Sequence, residues 1–173
     1  MRMAKGGAFL AVAVIWGAVS SCADAPSLPS ADSFCGRVCE GVVRCDSRAS
    51  WQLCNNSCVS DPGSRSLVSI RPEAAAIAGS CVSALDCTTI FNGPFEPCWD
   101  RAREETPPSP HLIAFCPAYS TSAFECGYWF SVEECQARLT IWTDKFLDAL
   151  AACTREATCE ATDACLENRF AGN

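Results

Sequence analysis

Fifteen cysteines and one histidine set the chemistry open to this 173-residue chain. Thiolates can hold soft metals, attack carbonyls or close disulfides, and spacing says which. No two cysteines are separated by just two residues. Zinc ribbons, knuckles and thioredoxin-like redox sites rest on that C-x-x-C spacing. His111 is the only imidazole, so any Cys-His or Ser-His-Asp site would have to use it. It follows Pro110 at a predicted helix start, the usual place of a solvated residue, and no Gly-x-Ser-x-Gly accompanies it. Glu104-Glu105 and Glu133-Glu134 are neighbouring carboxylates of the kind found on solvated helix faces. Glu156, Glu160 and Asp163 fall at helical spacing, but without the EF-hand pattern of a calcium loop. There is no P-loop and no dinucleotide-binding glycine pattern. The expectation is structural disulfides, no metal, no cofactor and no catalytic site.

The cysteines also give the organisation. Cys35, Cys45 and Cys54 are separated by nine and then eight residues, as are Cys116, Cys126 and Cys135. Both ladders open with Phe-Cys, at Phe34 and Phe115. Ser50 and Ser131 hold the same place before the third cysteine. Cys81 and Cys87 are spaced like Cys153 and Cys159, and Cys98 or Cys165 closes each half. An internal repeat of this kind predicts two degenerate tandem units, 34–105 and 111–173. The proline-rich stretch 106–110 lies between them as an extended linker.

The units read as helical. Ser50 and Ser131 are candidate N-caps, and Ser131-Val132-Glu133-Glu134 is a capping box. Cys135, Leu139, Trp142, Phe146, Ala149 and Cys153 form one apolar stripe, which predicts a single amphipathic helix of about twenty residues. In the first half the pattern breaks at Asp61-Pro62-Gly63 and restarts near Pro72, so 61–70 is predicted to be an inserted loop. The fold class expected is all-α: small helical bundles, disulfide-rich because neither unit is large enough to bury a big core. The aromatics are expected mainly in those cores, with Trp129-Phe130 the pair most exposed.

An address precedes the units. Arg2 and Lys5 are followed by the apolar run Ala8–Val19 and by Ser20-Ser21-Cys22, the layout of a secretory signal. Twelve apolar residues fall short of the roughly 20 that span a bilayer. Val19-Ser20-Ser21-Cys22 resembles the lipobox of bacterial lipoproteins, departing from it in Val at the first position, where Leu is commoner. The resemblance implies a signal peptide over 1–21, removal of it before Cys22, and lipid attachment (a palmitate-type acyl anchor) on Cys22. Residues 22–33 then form a flexible tether. Two or more acyl chains anchor stably. Ala23 after the lipidated cysteine implies sorting to the outer membrane. Export supplies the oxidising compartment that disulfides need. Parity agrees: with Cys22 acylated, fourteen of the fifteen cysteines remain, an even number. An ordinary cut near Ser20 would leave Cys22 as a stray thiol, and a cut after Ala25 would place Pro26 beside the scissile bond. Cysteine-rich helical repeats behind a lipobox resemble lipoproteins of myxobacterial type.

Two disulfides are expected from the repeat. Cys39 and Cys58 have Ser120 and Leu139 as counterparts, so they are absent together from the second half. That predicts Cys39–Cys58, with Cys45–Cys54 as a second layer of the same helical hairpin. The rival is Cys35–Cys58 with Cys39–Cys54. Pairing of Cys35, Cys81, Cys87, Cys98, Cys116, Cys126, Cys135, Cys153, Cys159 and Cys165 is left open.

The net charge of −7 does not favour nucleic acid or anionic lipid headgroups. The functional expectation is a membrane-anchored, non-enzymatic binding or structural module of the cell envelope with a protein or glycan partner. The alternative is a carrier of small apolar ligands, as in plant lipid-transfer proteins, whose adjacent CC and CXC are absent here. A cavity lined by Trp and Phe would favour the carrier, whereas a filled core with an exposed patch would favour the binding module.

Overall fold

The computed structural model describes residues 29–170. The signal segment, Cys22 and residues 23–28 of the tether lie outside the described residues, and 29–33, expected to be flexible tether, form the first turn of α1 instead. Among the described residues the fold is all-α: α1 (Pro29–Cys45), α2 (Trp51–Ser60), a 3-10 helix (Pro62–Ser69), α3 (Pro72–Ala84), α4 (Cys87–Asn92), α5 (Glu96–Glu105), α6 (Pro110–Glu125), α7 (Val132–Leu139), α8 (Asp144–Cys153) and α9 (Cys159–Phe170). None of these helices is long and apolar enough to cross a membrane.

Hydroxyl and carboxyl caps start many of them. Ser50, Ser109, Ser131 and Thr143 accept from backbone amides of α2, α6, α7 and α8. Asp86 caps α4. The hydroxyl and amide of Thr89 donate to its carboxylate and hold its pKa below the usual 3.8. Pro72 opens α3, where a missing N–H costs nothing.

The first core is a contact of α1 with α3, made from small residues. Ala74, Ala75, Ala78 and Val82 of α3 are fully buried against Phe34, Cys35 and Val38 of α1. Glycine is required on both sides of this seam. A Cβ on Gly79 would lie 2.9 Å from the carbonyl oxygen of Phe34, and one on Gly41 would lie 2.9 Å from Ser83 Cα. The second core gathers Leu112, Phe115 and Cys116 of α6, Cys135 and Leu139 of α7, and Phe146, Leu147 and Leu150 of α8.

All fourteen cysteines among the described residues are paired, and two expected bonds are corrected. Cys39 pairs with Cys54 and Cys35 with Cys58, so Cys39–Cys58 is not formed. Cys45 pairs with Cys87, so Cys45–Cys54 is not formed either. Helix periodicity explains both. At 3.6 residues per turn, Cys35 and Cys39 are about 40° apart on α1, as are Cys54 and Cys58 on α2. Two i,i+4 pairs therefore face one another across an antiparallel hairpin. Cys45 lies about 120° around α1 from Cys39, turned away from α2 and toward the start of α4. The joint absence of Cys39 and Cys58 counterparts has another outcome than expected: the two thiols left in the second half, Cys116 and Cys135, bond to each other. The remaining bonds are Cys81–Cys98, Cys126–Cys159 and Cys153–Cys165.

The single helix expected across 135–153 is broken. α7 stops at Leu139 and α8 starts at Asp144, because the intervening backbone bonds to the other half. Ile70 and Trp142 form an antiparallel bridge. The amide of Arg71 donates to the carbonyl of Ile141, and that of Thr143 to the carbonyl of Ser69, each at 2.8 Å. The Thr140 hydroxyl donates to the carbonyl of Thr106 at 2.8 Å. The guanidinium of Arg71 reaches the carbonyls of Pro107 and Thr140 at 2.7 and 3.0 Å and pairs with Glu73. Ile141 is thereby buried in the first core, while Trp142 touches both. Stretch 106–109 is extended, as its prolines demand, yet Thr106 is buried rather than set in a free linker. Segment 61–70, expected as a loop, carries the 3-10 helix and buries Leu67 and Ile70.

Candidate functional site

Most of the large aromatics are at least half-buried, stacked in pairs such as Phe34–Trp99 and Trp142–Phe146. The turn from α6 to α7 is different. Helix α6 ends in a left-handed glycine, Gly127, at φ 82°. The amide of Gly127 donates to the carbonyl of Phe124, and that of Tyr128 to the carbonyl of Ala123. These are the two bonds of a Schellman motif. The motif reverses the chain sharply and delivers Tyr128-Trp129-Phe130 to the Ser131 cap of α7.

Two disulfides and three aromatic contacts hold this turn. Cys116–Cys135 ties α6 to α7, and Cys126–Cys159 ties the turn to the first residue of α9. A ladder of rings runs outward from the core. Buried Phe115 stacks on Tyr119 at 5.1 Å, and Tyr119 meets the edge of Phe130 at 5.9 Å. Phe130 is half-buried, with the Arg138 guanidinium over its outer face at 5.3 Å. Arg138 is itself ion-paired with Glu134. Trp129 has no such cover. It is 85% exposed, and its ring contact among the described residues is edge-to-face with Phe124, itself 58% exposed, at 5.2 Å. A large indole held open to water forfeits about 1.5–3 kcal/mol that burial would return.

Carboxylates flank the turn. The Tyr128 hydroxyl donates to Asp163 Oδ2 at 2.7 Å. That hydrogen bond, then partial burial, then the charges of Asp163, Glu167 and Glu160 push the phenol above its ordinary value. Burial, then the same Asp163, pushes the Tyr119 phenol up. Glu160, Asp163 and Glu167 recur at i, i+3 and i+7, so they share one face of α9. Glu156 lies one turn before that face and is exposed.

The other residues singled out in the sequence lie elsewhere. His111 starts α6 with Nε2 3.1 Å from Asp148 Oδ1, partly exposed. Glu105 is ion-paired with Arg101, so both neighbouring-carboxylate pairs contribute a member to helix-surface ion pairs. Among the described residues no group of three or more His, Cys, Asp and Glu is placed to hold a metal ion. Of the two best-formed depressions, one is lined by Ala76, Ile77, Ser80, Cys81, Arg101 and Glu105 and the other by residues around Gly36, so neither has an aromatic wall. Phe124, one of the aromatics expected mainly in the cores, is instead exposed beside Trp129. Gly127, five residues before the α7 helix, is the signal that marks where α6 ends and which rings reach the turn. No family model, no curated protein and no solved structure matches the chain.

Proposed function

We propose that this is an exported lipoprotein, anchored through Cys22 in the outer membrane, whose stapled helical body is a non-enzymatic binding module. The observation that carries the binding reading is the Trp129–Phe124 pair, exposed on a turn fixed by a disulfide and two capping motifs. An apolar surface presented on a rigid support is what recognition of a partner uses, because little ordering entropy is lost on contact. The body is also read as two copies of one unit. Cys45–Cys87 and Cys81–Cys98 have counterparts in Cys126–Cys159 and Cys153–Cys165, and this supports the repeat. The carrier reading has less behind it, since the two best-formed depressions lack Trp or Phe walls.

The test is photo-cross-linking in the native envelope, with a benzophenone amino acid at position 129 and, as a control, at exposed position 53 on α2. A discrete adduct formed from 129 and not from 53 is the expected result. Identical patterns from both positions would refute the reading.

A further inference from the structure

The binding reading leaves the partner's chemistry open, and the inference drawn here rests on that reading. Two features meet at the α6–α7 turn. One is the open face of an indole, whose ring quadrupole attracts cations. The other is the row Glu160, Asp163 and Glu167 on α9, brought to the turn by Cys126–Cys159 and by the Tyr128–Asp163 hydrogen bond. The charges acting on the Tyr128 phenol are all carboxylates. Asp163 is occupied by Tyr128, whereas Glu160 and Glu167 are exposed and, among the described residues, form no ion pair. Phe130, next in the chain, has both groups already in place. There a guanidinium of this chain covers the ring and a carboxylate, Glu134, neutralises it. At Trp129 the ring is open, the carboxylates of α9 act on its chain neighbour Tyr128, and among the described residues no cation lies over the indole.

We infer that this face docks a basic protein segment, a stretch bearing several Lys or Arg side chains, with one cation over Trp129 and others paired with Glu160 and Glu167. The chemistry repeats the arrangement that the molecule already builds over Phe130. Charge complementarity selects this occupant. The chain carries −7 overall, which disfavours a second copy and an anionic membrane surface.

The experiment is a binding titration of the oxidised protein with decalysine, and with decaglutamate as control, in about 0.15 M salt, where diffuse surface attraction is screened beyond about 8 Å. Two variants accompany it: Trp129→Ala, and Glu160→Gln with Glu167→Gln. Both change exposed side chains and keep the Tyr128–Asp163 bond. Decalysine is expected to bind, decaglutamate not, and each variant to weaken binding about tenfold. No binding of decalysine overturns the proposal. Weakening by the glutamine variant alone, with Trp129→Ala unaffected, overturns it too, because the attraction is then diffuse. A specific adduct from position 129 without decalysine binding would refute the basic partner and leave the binding module standing.

Discussion

At the scale of residues, Gly127 governs the candidate site. Its φ of 82° is unfavourable for any residue with a Cβ, yet a Cβ there would meet nothing within 4 Å. The penalty of Gly127→Ala is therefore one of backbone alone, about 1–2 kcal/mol. Chemical denaturation should show that loss, with the Trp129 environment altered in near-UV circular dichroism. A variant as stable as the parent would mean that the turn is not held by the left-handed cap. This residue also shows what the sequence discloses. Ser131 and its acidic first turn announced α7, and Trp129-Phe130 was expected to be the exposed pair. Phe130 turns out half-buried, because Tyr119 packs against it edge-to-face and the Arg138 guanidinium lies over its ring. Both lie several residues away in sequence and become neighbours only when α6 and α7 fold back.

At the scale of elements, the α1–α3 seam decides between two opposed effects of glycine. Gly→Ala inside a helix gains up to about 1 kcal/mol in propensity, whereas overpacking costs about 1–3 kcal/mol. For Gly79 the new Cβ would sit 2.9 Å from Arg37 Cβ and from the Phe34 carbonyl, and Phe34 backbone cannot yield cheaply. For Gly36 the nearest atom is Trp51 Cζ2 at an ordinary 3.6 Å. Gly79→Ala should destabilise and Gly36→Ala should stabilise, each by about 1 kcal/mol in urea titration. Opposite signs are the prediction, and equal signs would contradict the seam as described. Helix positions were legible here from Pro72 and from the Ser50 cap. The disulfide register was not, because missing counterparts carry no trace of the 3.6-residue turn that puts Cys35 beside Cys39 and swings Cys45 away. The 135–153 stripe misled similarly. Its spacing fits one helix, but the backbone groups of Thr140, Ile141 and Thr143 bond to Arg71 and Ser69, and the Thr140 hydroxyl donates to the Thr106 carbonyl.

At the scale of the whole molecule, Arg71 joins the halves. Its guanidinium, mostly buried, serves the carbonyls of Pro107 and Thr140 at once. Arg71→Met keeps much of the apolar stem and removes those bonds, at about 1.5–3 kcal/mol. Hydrogen exchange should then quicken at the Thr143 and Arg71 amides before it quickens in α1 or α8. Uniform acceleration would show instead that Arg71 supports the fold generally. On the proposed reading the molecule is an exported body whose fourteen described cysteines are paired and whose remaining cysteine, Cys22, holds it to a membrane. Peptide mapping under non-reducing conditions, on protein extracted from the membrane fraction, tests that most directly. The account predicts Cys35–Cys58, Cys39–Cys54, Cys45–Cys87, Cys81–Cys98, Cys116–Cys135, Cys126–Cys159 and Cys153–Cys165, with an acylated Cys22 as the first residue. A Cys22 found unmodified, or joined to one of those fourteen, would contradict it.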